Sequence, residues 1–148
     1  MKKALCLVLS LTLVLSMAAV SSDKVSAKRV RKGGYYSAVL QQHKPSYGGA
    51  YIKKVKVGGN KVTTYGNFTL GKKIWSGKKI KKMKRTFVLS ASCKYIDGYG
   101  VPGGQRRITK AKAFKNLKQI KMFKNDSPTV CIFLVKGGKV VKLMFGQS

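Results

Sequence analysis

Glutamate is absent from this chain, and aspartate occurs three times, at Asp23, Asp97 and Asp126. Glycoside hydrolysis needs two carboxylates flanking one bond. Asp97 lies in an Asp-Gly-Tyr-Gly stretch and Asp126 in Asn-Asp-Ser-Pro, both turn contexts that suit Asp for local reasons. There is one histidine, His43, and no two candidate metal ligands stand at a motif spacing. A Cys–His nucleophile would have to join His43, in a polar stretch, to Cys93 or Cys131, in apolar runs. A reactive thiol needs exposure and activation, which such runs do not offer. The glycine-rich Val101–Thr109 segment lacks the Gly-Lys-Ser/Thr of a phosphate-binding loop. The expectation is a non-enzyme with no cofactor, no metal and no evident small-molecule substrate.

Long hydrophobic runs are also scarce, with one at Ala4–Val20. Lys2 and Lys3 precede it and Val25-Ser26-Ala27 follows, the layout of a signal peptide cleaved near Ala27. The alternative is an uncleaved anchor at the lower edge of spanning length. No cysteine at the cleavage site marks a lipid anchor, whereas Lys24, Lys28, Arg29, Arg31 and Lys32 stand where positive charge opposes translocation. The expected organisation is a signal peptide at 1–27, a basic Gly/Tyr-rich arm at 28–50 and a single β-rich domain at 51–148. The expected location is outside the cell, secreted or held at the envelope.

What is abundant is positive charge. From Lys28 onward there are 29 Lys and Arg against Asp97 and Asp126, a net of +27. Spread over a domain of this mass, such charges stand on the order of 15 Å apart, beyond the ~8 Å Debye length at physiological salt. The average repulsion is therefore screened, and only clusters pose a problem that a polyanion would relieve.

Tyr51–Val57 and Lys61–Leu70, joined by Gly58-Gly59-Asn60, read as a β-hairpin. Gly71–Lys82 reads as a basic loop and Arg85–Ser90 as a strand that continues towards Ile96. Within the arm, Tyr35–Leu40 is one short strand. Thr109 caps a helix running to about Met122, with Ala113, Phe114, Leu117 and Ile120 on one face. Thr129–Val135 is apolar on both faces, as in a central buried strand, and Lys139–Phe145 returns after Gly137-Gly138. The predicted class is α+β with one helix, in the order β-β-β-α-β-β. This order fits a small antiparallel sheet and an OB-like barrel equally.

The densest cluster is Lys78, Lys79, Lys81, Lys82, Lys84 and Arg85, within eight residues. Basic pairs split by single apolar residues suit anionic glycans and nucleic acids, and a plain solvated loop is the alternative. Read as a helix, the stretch would align Ile80, Met83 and Phe87, with Ile74 and Trp75 as an anchor for an anionic bilayer. A lesser candidate joins Arg106, Arg107, Lys110 and Lys112 at the helix start, where an anion would offset lysines that oppose the macrodipole. Tyr51, Tyr65 and Phe68 are expected in the core or as cross-strand partners rather than as a stacking surface. Export permits a disulfide between Cys93 and Cys131, and two buried thiols is the alternative.

The pieces Tyr51-Ile-Lys-Lys-Val-Lys-Val, Gly59-Asn-Lys-Val, Arg85-Thr-Phe-Val-Leu-Ser and Lys136-Gly-Gly-Lys-Val-Val-Lys are similar to small exported proteins of Gram-positive bacteria with no established function. The resemblance implies export and a small β-rich domain, and it transfers no active site. The expected function is association with anionic polymers of the envelope: teichoic acid, another anionic glycan, or lipid head groups. The alternatives are a cationic membrane-active protein and an extracellular OB-like nucleic-acid binder.

Overall fold

The structure, a computed structural model, describes residues 26–45, 48–119 and 129–147. The expected signal segment through residue 25, the end of the expected helix and Asp126 lie outside the described residues.

The Val130–Val135 run is buried on both faces, as its unbroken apolar character requires. It belongs to β7 (Thr129–Lys136), which pairs antiparallel with β2 (Gly34–Leu40) on one side and β8 (Lys139–Gln147) on the other. Gly137 and Gly138, both at positive φ, make the two-residue turn between β7 and β8. The remaining strands are β1 (Lys28–Arg29), β3 (Tyr51–Gly58), β4 (Lys61–Gly71), β5 (Lys78–Tyr99) and β6 (Arg106–Arg107), with α1 at Lys110–Lys118.

The strands form one mixed sheet that closes partly into a ring. Its path runs β1-β5-β4-β3-β2-β7-β8, and β5 also pairs with β8 in parallel, which joins the last strand of that path to its second. The 22 residues of β5 make this possible, because its first half lies on β4 and its second half on β8. The register shifts between Leu89 and Lys94, where the strand leaves one neighbour for the other. On the opposite side, β2 pairs with β4 at Tyr35–Ser37 and with β3 at Val39–Leu40. Gly66 of β4 lies against the backbone of Tyr51 and Ile52, and a Cβ there would collide with the Tyr51 carbonyl oxygen.

Inside the ring, Tyr36, Phe68, Phe87 and Phe133 pack together. Phe87 and Phe133 stack at 4.2 Å, Phe68 meets Tyr36, Phe87 and Phe133 edge to face, and Tyr36 meets Phe87 in the same way. Thr109 caps α1 as expected, its hydroxyl accepting the Lys112 N–H at 3.2 Å. The helix buries Ala113 and Leu117 in this core, and full burial of one leucine stabilises by about 1.5–3 kcal/mol. A second, smaller cluster of Val39, Tyr51, Val130, Ile132 and Met144 covers the other face of β7.

Several expectations are corrected. The described strands number eight, against the five expected in the domain and the one expected in the arm; β1 and β6 are the additions. Tyr35–Leu40, the short strand within the arm, is a buried centre of the sheet because its apolar side chains fill the gap between β7 and β4. The basic loop is limited to 72–77, and the densest charge cluster lies in β5, so the helix with Ile80, Met83 and Phe87 on one face does not form. Cys93 and Cys131 are both free. They lie on β5 and β7 with β8 between, and two strand spacings come to about 9.5 Å, beyond disulfide reach.

Candidate polyanion interface

Antiparallel pairing places directly opposed residues on one face of a sheet. Across β3, β4 and β5, the register aligns Lys54, Tyr65 and Lys84 in one row and Lys56, Thr63 and Thr86 in the next. The residues that alternate with these rows, Thr64 and Arg85 between them and Val62 and Phe87 beyond the second, are turned inward and buried. The first row therefore faces outward, with a tyrosine flanked by two lysines. Thr63 and Thr86 join their hydroxyls at 3.3 Å in the second row.

Lys82 completes this face through a β-bulge. Gly66 pairs with Met83 and Phe68 with Ile80, so Lys81 and Lys82 together oppose the single residue Asn67. The bulge shifts the alternation by one residue. Ile80 and Met83 both stay partly covered, while Lys78, Lys79, Lys81, Lys82 and Lys84 are all exposed. The Lys82 ammonium donates to the Tyr51 hydroxyl at 3.0 Å and stands 5.3 Å and 5.4 Å from the Tyr51 and Tyr65 ring centroids. The hydrogen bond to Tyr51 raises its pKa above the ordinary lysine value. The face is a shallow groove of about 940 Å³, lined by Lys53, Lys54, Lys56, Tyr65, Lys82 and Lys84 among others.

The sequence candidates do not all share this groove. Lys82 and Lys84 line it, and Lys78, Lys79 and Lys81 lie along the same exposed edge of β5, with Lys79 donating to the Gly48 carbonyl. Arg85 is corrected: it points into the ring and is 6% exposed, so it is not part of the solvent-facing cluster. Arg106, Arg107, Lys110 and Lys112 are exposed at the other end of β5. Arg106 is paired with Asp97 at 3.4 Å, and the Lys110 ammonium lies 5.4 Å from the Phe114 ring centroid.

Sequence reasoning missed Lys53, Lys54 and Lys56; the alternation of Lys54 and Lys56 with Val55 and Val57 within the hairpin was a usable signal. Tyr65, expected in the core or as a cross-strand partner, is the cross-strand partner of Lys54 and Lys84 and is 37% exposed. The core placement holds for Phe68, which is fully buried, and for Tyr51, which is largely so. Trp75 is 42% exposed and has a positive φ of 59°, with its N–H held by the Ser37 hydroxyl at 3.2 Å.

Neither thiol is set up as a nucleophile. Burial pushes both the Cys93 and Cys131 thiols above the ordinary cysteine range, and His43 is exposed while Cys131 is fully buried. Among the described residues, no three potential metal ligands are gathered, and no helix is long and apolar enough to cross a membrane. Comparison with protein-family models, curated proteins and solved structures gives no match.

Proposed function

We propose that this protein is a secreted, non-enzymatic domain that holds anionic polymers of the cell envelope, such as teichoic acid, against the outer face of β3, β4 and β5. The observation that carries this reading is the Lys54–Tyr65–Lys84 row with Lys82 beside it, a lysine-lined groove without a facing carboxylate among its lining residues. Such a groove concentrates like charges within a Debye length, and a polyanion relieves their repulsion while releasing its own counterions.

The fold supports the same face. A partly closed ring in which β5 pairs with β4 on one side and in parallel with β8 on the other, with β6 and the helix between β5 and β7, is consistent with an OB-like barrel without matching its strand order in full. In that architecture the second and third barrel strands carry extended nucleic-acid or sugar ligands, and on this reading β4 and β5 would take that place. Tyr65 in turn favours a second reading, single-stranded nucleic acid, because an exposed ring between lysines is a stacking platform.

Binding to teichoic acid, single-stranded DNA, heparin and a neutral glycan across a salt series tests both readings. The envelope reading requires teichoic acid to bind at least as tightly as DNA at equal salt, with no binding to the neutral glycan. Tighter binding to DNA at every salt concentration selects the nucleic-acid reading instead.

A further inference from the structure

Arg85 is the buried cation among the described residues, and none of its contacts is an anion. Its Nη1 donates to the Gly66 carbonyl at 3.1 Å and its Nη2 to the Lys81 carbonyl at 2.8 Å, while the guanidinium lies 5.8 Å from the Phe68 ring centroid. Two carbonyls and an aromatic face orient the fork, but they leave its charge uncompensated. Among the described residues the ion pair formed is Arg106–Asp97, elsewhere in the fold. A buried charge without a counter-charge is expensive. Burial accordingly draws the Arg85 pKa below its ordinary value.

A second observation points the same way. The parallel pairing of β1 with β5 sets Lys28 directly against Arg85. Like charges at directly opposed positions destabilise a strand pair. The two residues border a cleft of about 500 Å³ that is also lined by Arg29, Arg31, Lys32 and Tyr36. Of the five guanidinium N–H groups, two are used by the carbonyls, which leaves three donors for another acceptor.

We propose that this cleft binds one tetrahedral oxyanion, a phosphate or sulfate group, with Arg85 at its floor and Lys28 at its mouth. A planar guanidinium fork matches such oxygens in geometry as well as in charge. The site is separate from the lysine groove, because Lys84 faces outward and Arg85 inward on the same strand. The oxyanion belongs either to free phosphate or to a phosphate group of an envelope polymer.

Inorganic phosphate, titrated by calorimetry at constant ionic strength, should show one saturable site. Arg85→Met should weaken it at least tenfold, and a Lys54→Ala/Lys84→Ala variant should change it by less than twofold. If Arg85→Met does not fold, Lys28→Ala leaves the core side chains in place and should weaken binding at least threefold. Non-saturable binding overturns the site, as does an affinity unchanged in both Arg85→Met and Lys28→Ala. A polyglycerol phosphate that displaces free phosphate names the polymer as the source, and one that does not names free phosphate; either result upholds the site.

Discussion

The Lys82 ammonium hydrogen-bonds the Tyr51 hydroxyl at 3.0 Å, linking the bulge of β5 to the first residue of β3 across β4. An otherwise freely moving lysine is thereby held beside Tyr65, and charge and aromatic surface are presented as one unit. Lys82 is fully exposed, so this contact is treated as positioning and not as a source of stability.

Tyr65→Ala separates stacking from charge. Base–aromatic stacking is worth about 1–3 kcal/mol per base. The variant should lose roughly five- to hundredfold in affinity for single-stranded DNA. Teichoic acid has no bases to stack, so its affinity should change by less than about threefold. Filter binding of both polymers at one salt concentration reads the difference, and equal losses would reject Tyr65 as a stacking surface.

Salt dependence counts the lysines in use. Each phosphate contact contributes about 0.7–0.9 to the slope of log affinity against log salt. Lys54→Ala/Lys84→Ala should therefore lower the slope by roughly 1.4–1.8, whereas Lys110→Ala/Lys112→Ala should leave it unchanged. The reverse pattern would move the binding face to the start of α1.

Thr64 tests the interior. Its hydroxyl is buried and has no hydrogen-bond partner. Thr64→Val retains the branched shape and removes a desolvated polar atom, so stability should rise by about 1 kcal/mol. Denaturant unfolding checks this, and a loss of stability would mean that the hydroxyl has a partner in solution.

Gly66→Ala should act in the opposite direction. The added methyl meets the Tyr51 carbonyl oxygen, which is backbone and cannot swing aside. Overpacking of this kind costs about 1–3 kcal/mol. Thermal unfolding should show the loss, and an unchanged midpoint would show that β3 and β4 are not so closely apposed.

Cys131 predicts an alkaline loss of stability. Burial raises its thiol pKa in the folded state, so the native protein keeps a proton that the unfolded chain releases. Stability is therefore full below the unfolded thiol pKa of about 8.5 and declines as pH rises above it, by up to about 1.4 kcal/mol per pH unit. Tyr95, pushed up to about 12 mainly by burial, adds a further decline above about pH 10. Cys93, also raised by burial, adds to the first decline, so Cys131→Ala should shrink it and Cys93→Ala/Cys131→Ala should remove it, both keeping the second, as read by unfolding midpoints from about pH 7 to 11.5.

Local patterns carried much of the fold. The β3–β4 hairpin, the doubly buried β7 and the Thr109 cap depend on neighbouring residues, and all three were readable from alternation, turn glycines and capping chemistry. The Lys78–Arg85 cluster was readable as charge but not as geometry. Its apolar residues Ile80 and Met83 are three apart, which suggests a helical face, and a strand accommodates that spacing only through the bulge opposite Asn67. That bulge also decides that Arg85 faces inward. No residue within the cluster announces it, because it arises from pairing with β4.

The sequence by itself determined the composition of the surface: many lysines, almost no acids, and short runs able to form strands and one helix. These properties reside in single residues and near neighbours. Tertiary structure alone decided that β5 pairs in parallel with β8, that the ring closes in part, that Tyr65 stands outward between Lys54 and Lys84, and that Cys93 and Cys131 remain apart. Each depends on register between distant strands. One residue of slip exchanges the two faces of a strand, so these outcomes follow from the packing of the whole sheet and not from any segment within it.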